Sequence, residues 1–154
     1  MLSIYIFFVI ALTEELLMRG FILIKLLANV DRWPALIFSA LIFSALHLFN
    51  AHIGAVAILN LFLAGLLLGL PVIYTGNIWY SVALHFSWNF FQSLLGFNVS
   101  GKDLYSVIIQ YQPSLNIWNG GLFGYEASIY CLISQIIAIL FFCKIFRACL
   151  NFVQ

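Results

Sequence analysis

The chain has 154 residues, 65% of them hydrophobic and only 7% charged, where soluble domains carry about 25% charged residues. That is the composition of an integral membrane protein, and a net charge of +1 gives no basis for binding nucleic acid or an acidic partner. Strand alternation is absent and the apolar runs are long, which argues against an outer-membrane barrel and for an all-α, polytopic membrane helix bundle, a single domain over residues 1–154.

The first apolar segment runs from about Ser3 to Ala28, long enough to span a bilayer at 1.5 Å per residue. It is no secretory signal, because it lacks basic residues at its start and carries Glu14 and Glu15. With Arg19 these place three charges within six positions, each costing about 3 kcal/mol at the centre of a membrane helix. Glu15 and Arg19 stand at i,i+4 and can pair. Glu14 lies about 100° further round the helix and is left for chemistry.

Trp33-Pro34 opens the second segment, with proline where a helix start tolerates it. This segment ends near Phe49 and is short for a span, so it is the candidate re-entrant segment. The third, about Gly54 to Tyr74, is the cleanest membrane helix and contains the Gly65-x-x-x-Gly69 spacing that lets helix backbones approach closely. Thr75-Gly76-Asn77 makes a turn, and a fourth segment covers about Ile78 to Phe97. Residues 102–125 mix Lys102, Asp103, Pro113, Asn116 and Gly120-Gly121 and are expected to lie at the interface or to re-enter. The fifth segment covers about Ala127 to Leu150. Its Cys131 and Cys143, with Cys149, match no thiolate metal spacing and are expected to be buried or lipid-facing. If the five segments alternate, Lys25, Arg32, Lys144 and Arg147 fall on one side and Lys102 on the other. The expectation is therefore a multi-pass cell-membrane protein with a cytoplasmic C-terminus.

Two further spans carry polar groups. Phe43 and His47 share one helix face in the second, and His85 and Asn89 share one in the fourth, each pair at i,i+4. Taken singly, each histidine or amide reads as interhelical hydrogen-bonding glue, and His52 as an interfacial residue. Taken together, Glu14, His47, His85 and Asn89 should converge in the bundle interior or on a water-filled cavity, since lipid cannot hydrogen-bond them. Glu14, His47 and His85 suit a catalytic zinc with one position open to water. The same groups also work without metal, with Glu14 as general base on a water held by His47, and His85 and Asn89 donating to an oxyanion. Both versions end in hydrolysis of a carbonyl compound.

The motifs Glu14-Glu15-x-x-x-Arg19, Phe43-x-x-x-His47 and His85-x-x-x-Asn89, in this order on separate segments, resemble the CAAX proteases and bacteriocin-processing enzymes known as the CPBP or Abi family. The segment Gly120 to Ser128 is also similar to a glycine-rich stretch before the last helix of bacterial members, so the resemblance covers about Thr13 to Ser128. Met18 stands where an aromatic is common. The resemblance implies an intramembrane endopeptidase in the lipid bilayer, acting on a peptide or small membrane protein. Glu14 and His47 would activate the water, His85 and Asn89 would bind the oxyanion, and Glu15, Arg19 and Phe43 would support them. It implies either a zinc enzyme, with Glu14, His47 and His85 as ligands, or a metal-independent one. Members carry further helices before the Glu-Glu motif, so the expectation here is a domain lacking them, either as a shortened member or because the true start lies upstream, with a partner chain closing one side of the cavity or activity lost. The alternative is a non-catalytic bacteriocin-immunity or scaffold protein that keeps the fold. A proton-coupled carrier ranks below both, for want of an internal repeat.

Overall fold

The computed structural model describes residues 2–103, 106–110 and 114–152, and side chains between Ser3 and Phe146. Pro113 lies outside the described residues, as do the side chains of Arg147 and Cys149. The described residues are helical apart from connecting turns and one isolated bridge between Val99 and Lys102.

The first apolar segment is built of α1 (Leu2–Glu15), a π-helical stretch (Leu16–Leu23) and α2 (Ile24–Leu27). The wider π turns begin directly after Glu15 and carry Arg19, the usual setting of such stretches being a functional site. After Asp31 comes α3 (Arg32–Leu46), with Pro34 in the first turn, where no backbone N–H is needed. It ends three residues sooner than the apolar run suggested. α4 (Ala55–Thr75) closes on Gly76 in the left-handed region at φ 69°, a conformation that glycine adopts without strain. α5 (Trp79–Leu94) starts where Asn77 Oδ1 accepts the Trp79 N–H at 2.9 Å, and α6 (Ile129–Phe152) follows a short 3-10 turn at Tyr125–Ala127.

α4 is the central element, packed against α3, α5 and α6, while α1 lies along α5. Phe7 and Phe8 of α1 meet Phe90 and Phe86 of α5 edge to face at 6.4 and 6.2 Å, an arrangement that suits the ring quadrupoles. Met18, Phe43, Ala57, Leu61, Leu68 and Phe123 form the core between them. Ala55–Thr75 and Ile129–Phe146 are each long and apolar enough to cross a membrane. Ile137, Leu140 and Phe141 of α6 are among the exposed apolar residues of its outer face.

α3 and α4 touch closely at Gly65, where a Cβ would come within 2.7 Å of Ala40 Cα and 2.8 Å of Ala40 Cβ. Gly65→Ala should therefore destabilise the fold by about 1–3 kcal/mol, the usual range for overpacking, read as a lower unfolding temperature in detergent. Gly54→Ala, with open space around it, should leave that temperature unchanged.

Candidate active site

The costly charges of the first segment are compensated by three other helices. Glu15 and Arg19 are both fully buried. Glu15 Oε1 accepts hydrogen bonds from Arg19 Nη1 at 3.0 Å and from His85 Nδ1 at 2.8 Å. Arg19 Nη2 donates to the Gly65 carbonyl of α4 at 3.0 Å, and its guanidinium lies 4.6 Å from the centre of the Phe43 ring of α3, within reach of a cation–π attraction. The division of the two glutamates expected from the helical repeat is what the structure has. Glu15 is tied up in the interior, whereas Glu14 is 37% exposed.

Each histidine uses Nδ1 for support. His47, the residue directly after α3, donates from Nδ1 to the Phe43 carbonyl at 2.8 Å, and its ring packs 4.8 Å from that of Phe43. His85 donates from Nδ1 to Glu15. These bonds assign the tautomers and turn both Nε2 atoms toward Glu14, whose Oε2 stands 3.9 Å from each. That separation is too long for a hydrogen bond and leaves a gap among three polar groups.

The gap opens into a cavity of about 240 Å³, roomy enough for water. Ile10, Leu17 and Leu46 are among its apolar lining residues, and Asn50, Ser100 and Lys102 among its polar ones. Asn89 also lines it, one turn beyond His85, only 5% exposed and without a hydrogen-bond partner among the described residues. Glu14, His47, His85 and Asn89 are thus brought together from three helices, and Glu15, Arg19 and Phe43 pack behind them. His52 lies in an exposed turn and lines no described part of the cavity.

Tetrahedral zinc with ligand bonds near 2.0–2.1 Å holds neighbouring donor atoms roughly 3.4 Å apart. Glu14 is 3.9 Å from both imidazoles, and among the described residues no group of three or more such side chains is close enough to hold a metal ion. As they stand, these donors do not fit zinc.

Residues that the sequence motifs passed over form a second wall, joined to the cavity through Ser100. Glu126, in the 3-10 turn, accepts hydrogen bonds at Oε2 from the Ser100 N–H at 2.8 Å and the Ser100 hydroxyl at 2.9 Å. Burial pushes its carboxyl above the ordinary glutamate range, opposed by the Ser100 bonds and by the fields of His47 and His85. The chain enters this turn through Gly124 at φ 104°, where a Cβ would collide with the Asn98 carbonyl. Asn60 of α4 anchors the turn by donating to the Glu126 and Ser128 carbonyls at 2.7 and 2.9 Å. A lone amide inside the otherwise apolar run of α4 was the available signal for this wall.

The family model described as "Type II CAAX prenyl endopeptidase Rce1-like" matches residues 1–91, a stretch that holds the Glu-Glu-Arg cluster and both histidine pairs. No match to a curated protein or to a solved structure was found.

Removing one partner of a buried ion pair leaves the other charge uncompensated, at about 3–5 kcal/mol. Arg19→Ala should therefore greatly reduce the yield of folded protein. The double change Glu15→Gln with Arg19→Met should recover much of that yield, measured as monodisperse protein after detergent extraction.

Proposed function

The chain belongs to the Rce1-like type II CAAX prenyl endopeptidase family, and on that premise we propose that it is an intramembrane endopeptidase hydrolysing a peptide bond of a membrane-associated peptide or protein. The observation that carries the proposal is the placement of Glu14 Oε2 at 3.9 Å from the Nε2 atoms of both His47 and His85, on a cavity that Asn89 also lines. A water seated in that gap has a carboxylate to take its proton and imidazole nitrogens to orient it.

The steps follow from those positions. Ionised Glu14 removes a proton from the water while His47 holds it. The water oxygen adds to the substrate carbonyl carbon, and the carbonyl electron pair moves to its oxygen. Asn89 Nδ2 donates a hydrogen bond to that oxyanion, joined by His85 from Nε2 once that nitrogen carries a proton. As the tetrahedral intermediate collapses, the C–N bond breaks and Glu14 delivers its proton to the leaving amine. The products are a carboxylic acid and a free amine, and Glu14 returns to its starting state. Glu15, Arg19 and Phe43 hold the histidines in place.

The apolar outer face of α6 and the two long apolar helices support a multi-pass arrangement in the cell membrane. In this arrangement five segments contact lipid, and the C-terminus lies on the side that collects Lys25, Arg32 and Lys144. A zinc-dependent version would use Glu14, His47 and His85 as ligands. It would require them to draw together by roughly half an ångström.

Glu14→Gln should lower the cleavage rate of a membrane-bound peptide by about 10²- to 10⁴-fold without changing the unfolding temperature. Full retained activity would overturn the proposal. Asn89→Ala should lower kcat by about 10²- to 10³-fold with little change in KM. Treatment with a chelator, followed by elemental analysis of the purified protein, should leave activity intact. Zinc present at one equivalent and lost with His47→Ala would establish the metal version instead.

A further inference from the structure

A second, smaller cavity of about 40 Å³ adjoins the first on the side of α4 and α6. The two share Phe43, His47, His85, Asn89 and Ser100 as lining, and the smaller one adds Asn60, Glu126 and Gln135. Its polar groups are unusually placed for the interior of an apolar bundle. Asn60 is 1% exposed and Gln135 3%. Asn60 turns its amide nitrogen to the Glu126 and Ser128 carbonyls, which leaves its Oδ1 buried without a partner, and Gln135 Oε1 is in the same position.

Buried amide oxygens in native interiors are satisfied by protein or by ordered water, and each instance without a protein partner asks for one of these. Both residues line one space, and that space is large enough for about two or three waters. It also offers the carboxyl of Glu126, the hydroxyl of Ser100 and the amide of Asn89 as further hydrogen-bonding groups. Hydrolysis consumes one water per turnover, and the surrounding hydrocarbon supplies none. We propose that Asn60, Glu126 and Gln135 form a water-holding site that feeds the catalytic cavity past His85 and Asn89. The inference rests on the hydrolytic reading above for its purpose, but not for the presence of water. Glu126 and Gln135 lie beyond residue 91, where the family match ends.

Two measurements test it. Hydroxyl-radical footprinting by pulsed X-rays, on the full chain in nanodiscs, labels side chains beside ordered internal water. Leu61 and Leu84, which line the smaller cavity, should be labelled in the wild-type protein and lose most of that labelling in Gln135→Leu. The same variant should lose roughly tenfold in kcat with KM unchanged, the loss expected when a buried bridging-water site is removed. Its rate should also fall more steeply than wild type as an osmolyte lowers water activity. Gln135→Glu, which keeps an acceptor at this point, should restore the rate. Gln135→Met serves if the leucine variant does not fold.

A wild-type cavity that takes no label is dry, and the proposal fails whatever the kinetics. Label that is lost in Gln135→Leu with kcat unchanged defeats the supply role. A protein that cleaves nothing, with Glu14 intact and the cavity labelled, defeats the proteolytic reading and the supply role while the water site stands.

Discussion

The buried contact of Glu15 with Arg19 and His85 is the interaction on which the rest of the structure depends. One carboxylate oxygen receives a guanidinium from its own helix and an imidazole from α5, while the other arm of that guanidinium reaches the backbone of α4 and its face covers a ring of α3. Four segments are thereby held to one point. Water competes poorly for charged hydrogen bonds in such an interior, so the contact is strong while complete and very unfavourable when broken. It also explains why Gly65 has no side chain. The carbonyl that Arg19 needs is presented where α3 and α4 come into near backbone contact.

The same contact fixes the orientation of His85. Because Glu15 engages Nδ1, the opposite nitrogen is the one that faces Glu14, and the Phe43 carbonyl does the equivalent for His47. Two adjacent glutamates consequently play opposite parts. One is immobilised to hold a histidine, and its neighbour is left at the cavity with no direct bond to either ring. The wide turns that begin right after Glu15 carry Arg19, which bonds back to Glu15.

Much of this was legible in the sequence, and the limits of legibility have physical causes. The all-helical character follows from composition, because long apolar runs leave little choice of element, and two of the described helices, Ala55–Thr75 and Ile129–Phe146, reach hydrocarbon length. The separation of Glu14 from Glu15, and the pairing with Arg19, follow from the helical repeat alone. The π-helical stretch was not legible, since residues 16–23 are apolar except for Arg19 and Gly20 and carry no periodicity to betray a changed pitch. Nor did the apolar run through Leu48 and Phe49 show that α3 stops at Leu46. There His47 leaves the helix and bonds back to Phe43. The place of Glu126 beside the site was not legible, because its link to Asn60 spans 66 residues and no local pattern encodes a contact of that separation. Ser100 and Gln135 were missed for the same reason. A stricter use of one rule, that every polar side chain in an apolar segment needs a partner, would have raised Asn60 and Gln135.

The larger cavity is lined by side chains of both kinds, Ile10, Leu17 and Leu46 among the apolar ones and Asn50, Ser100 and Lys102 among the polar ones. For the proposed peptidase this mixed lining favours an amphiphilic chain, because a uniformly polar peptide would leave the apolar part of the lining with nothing to cover it.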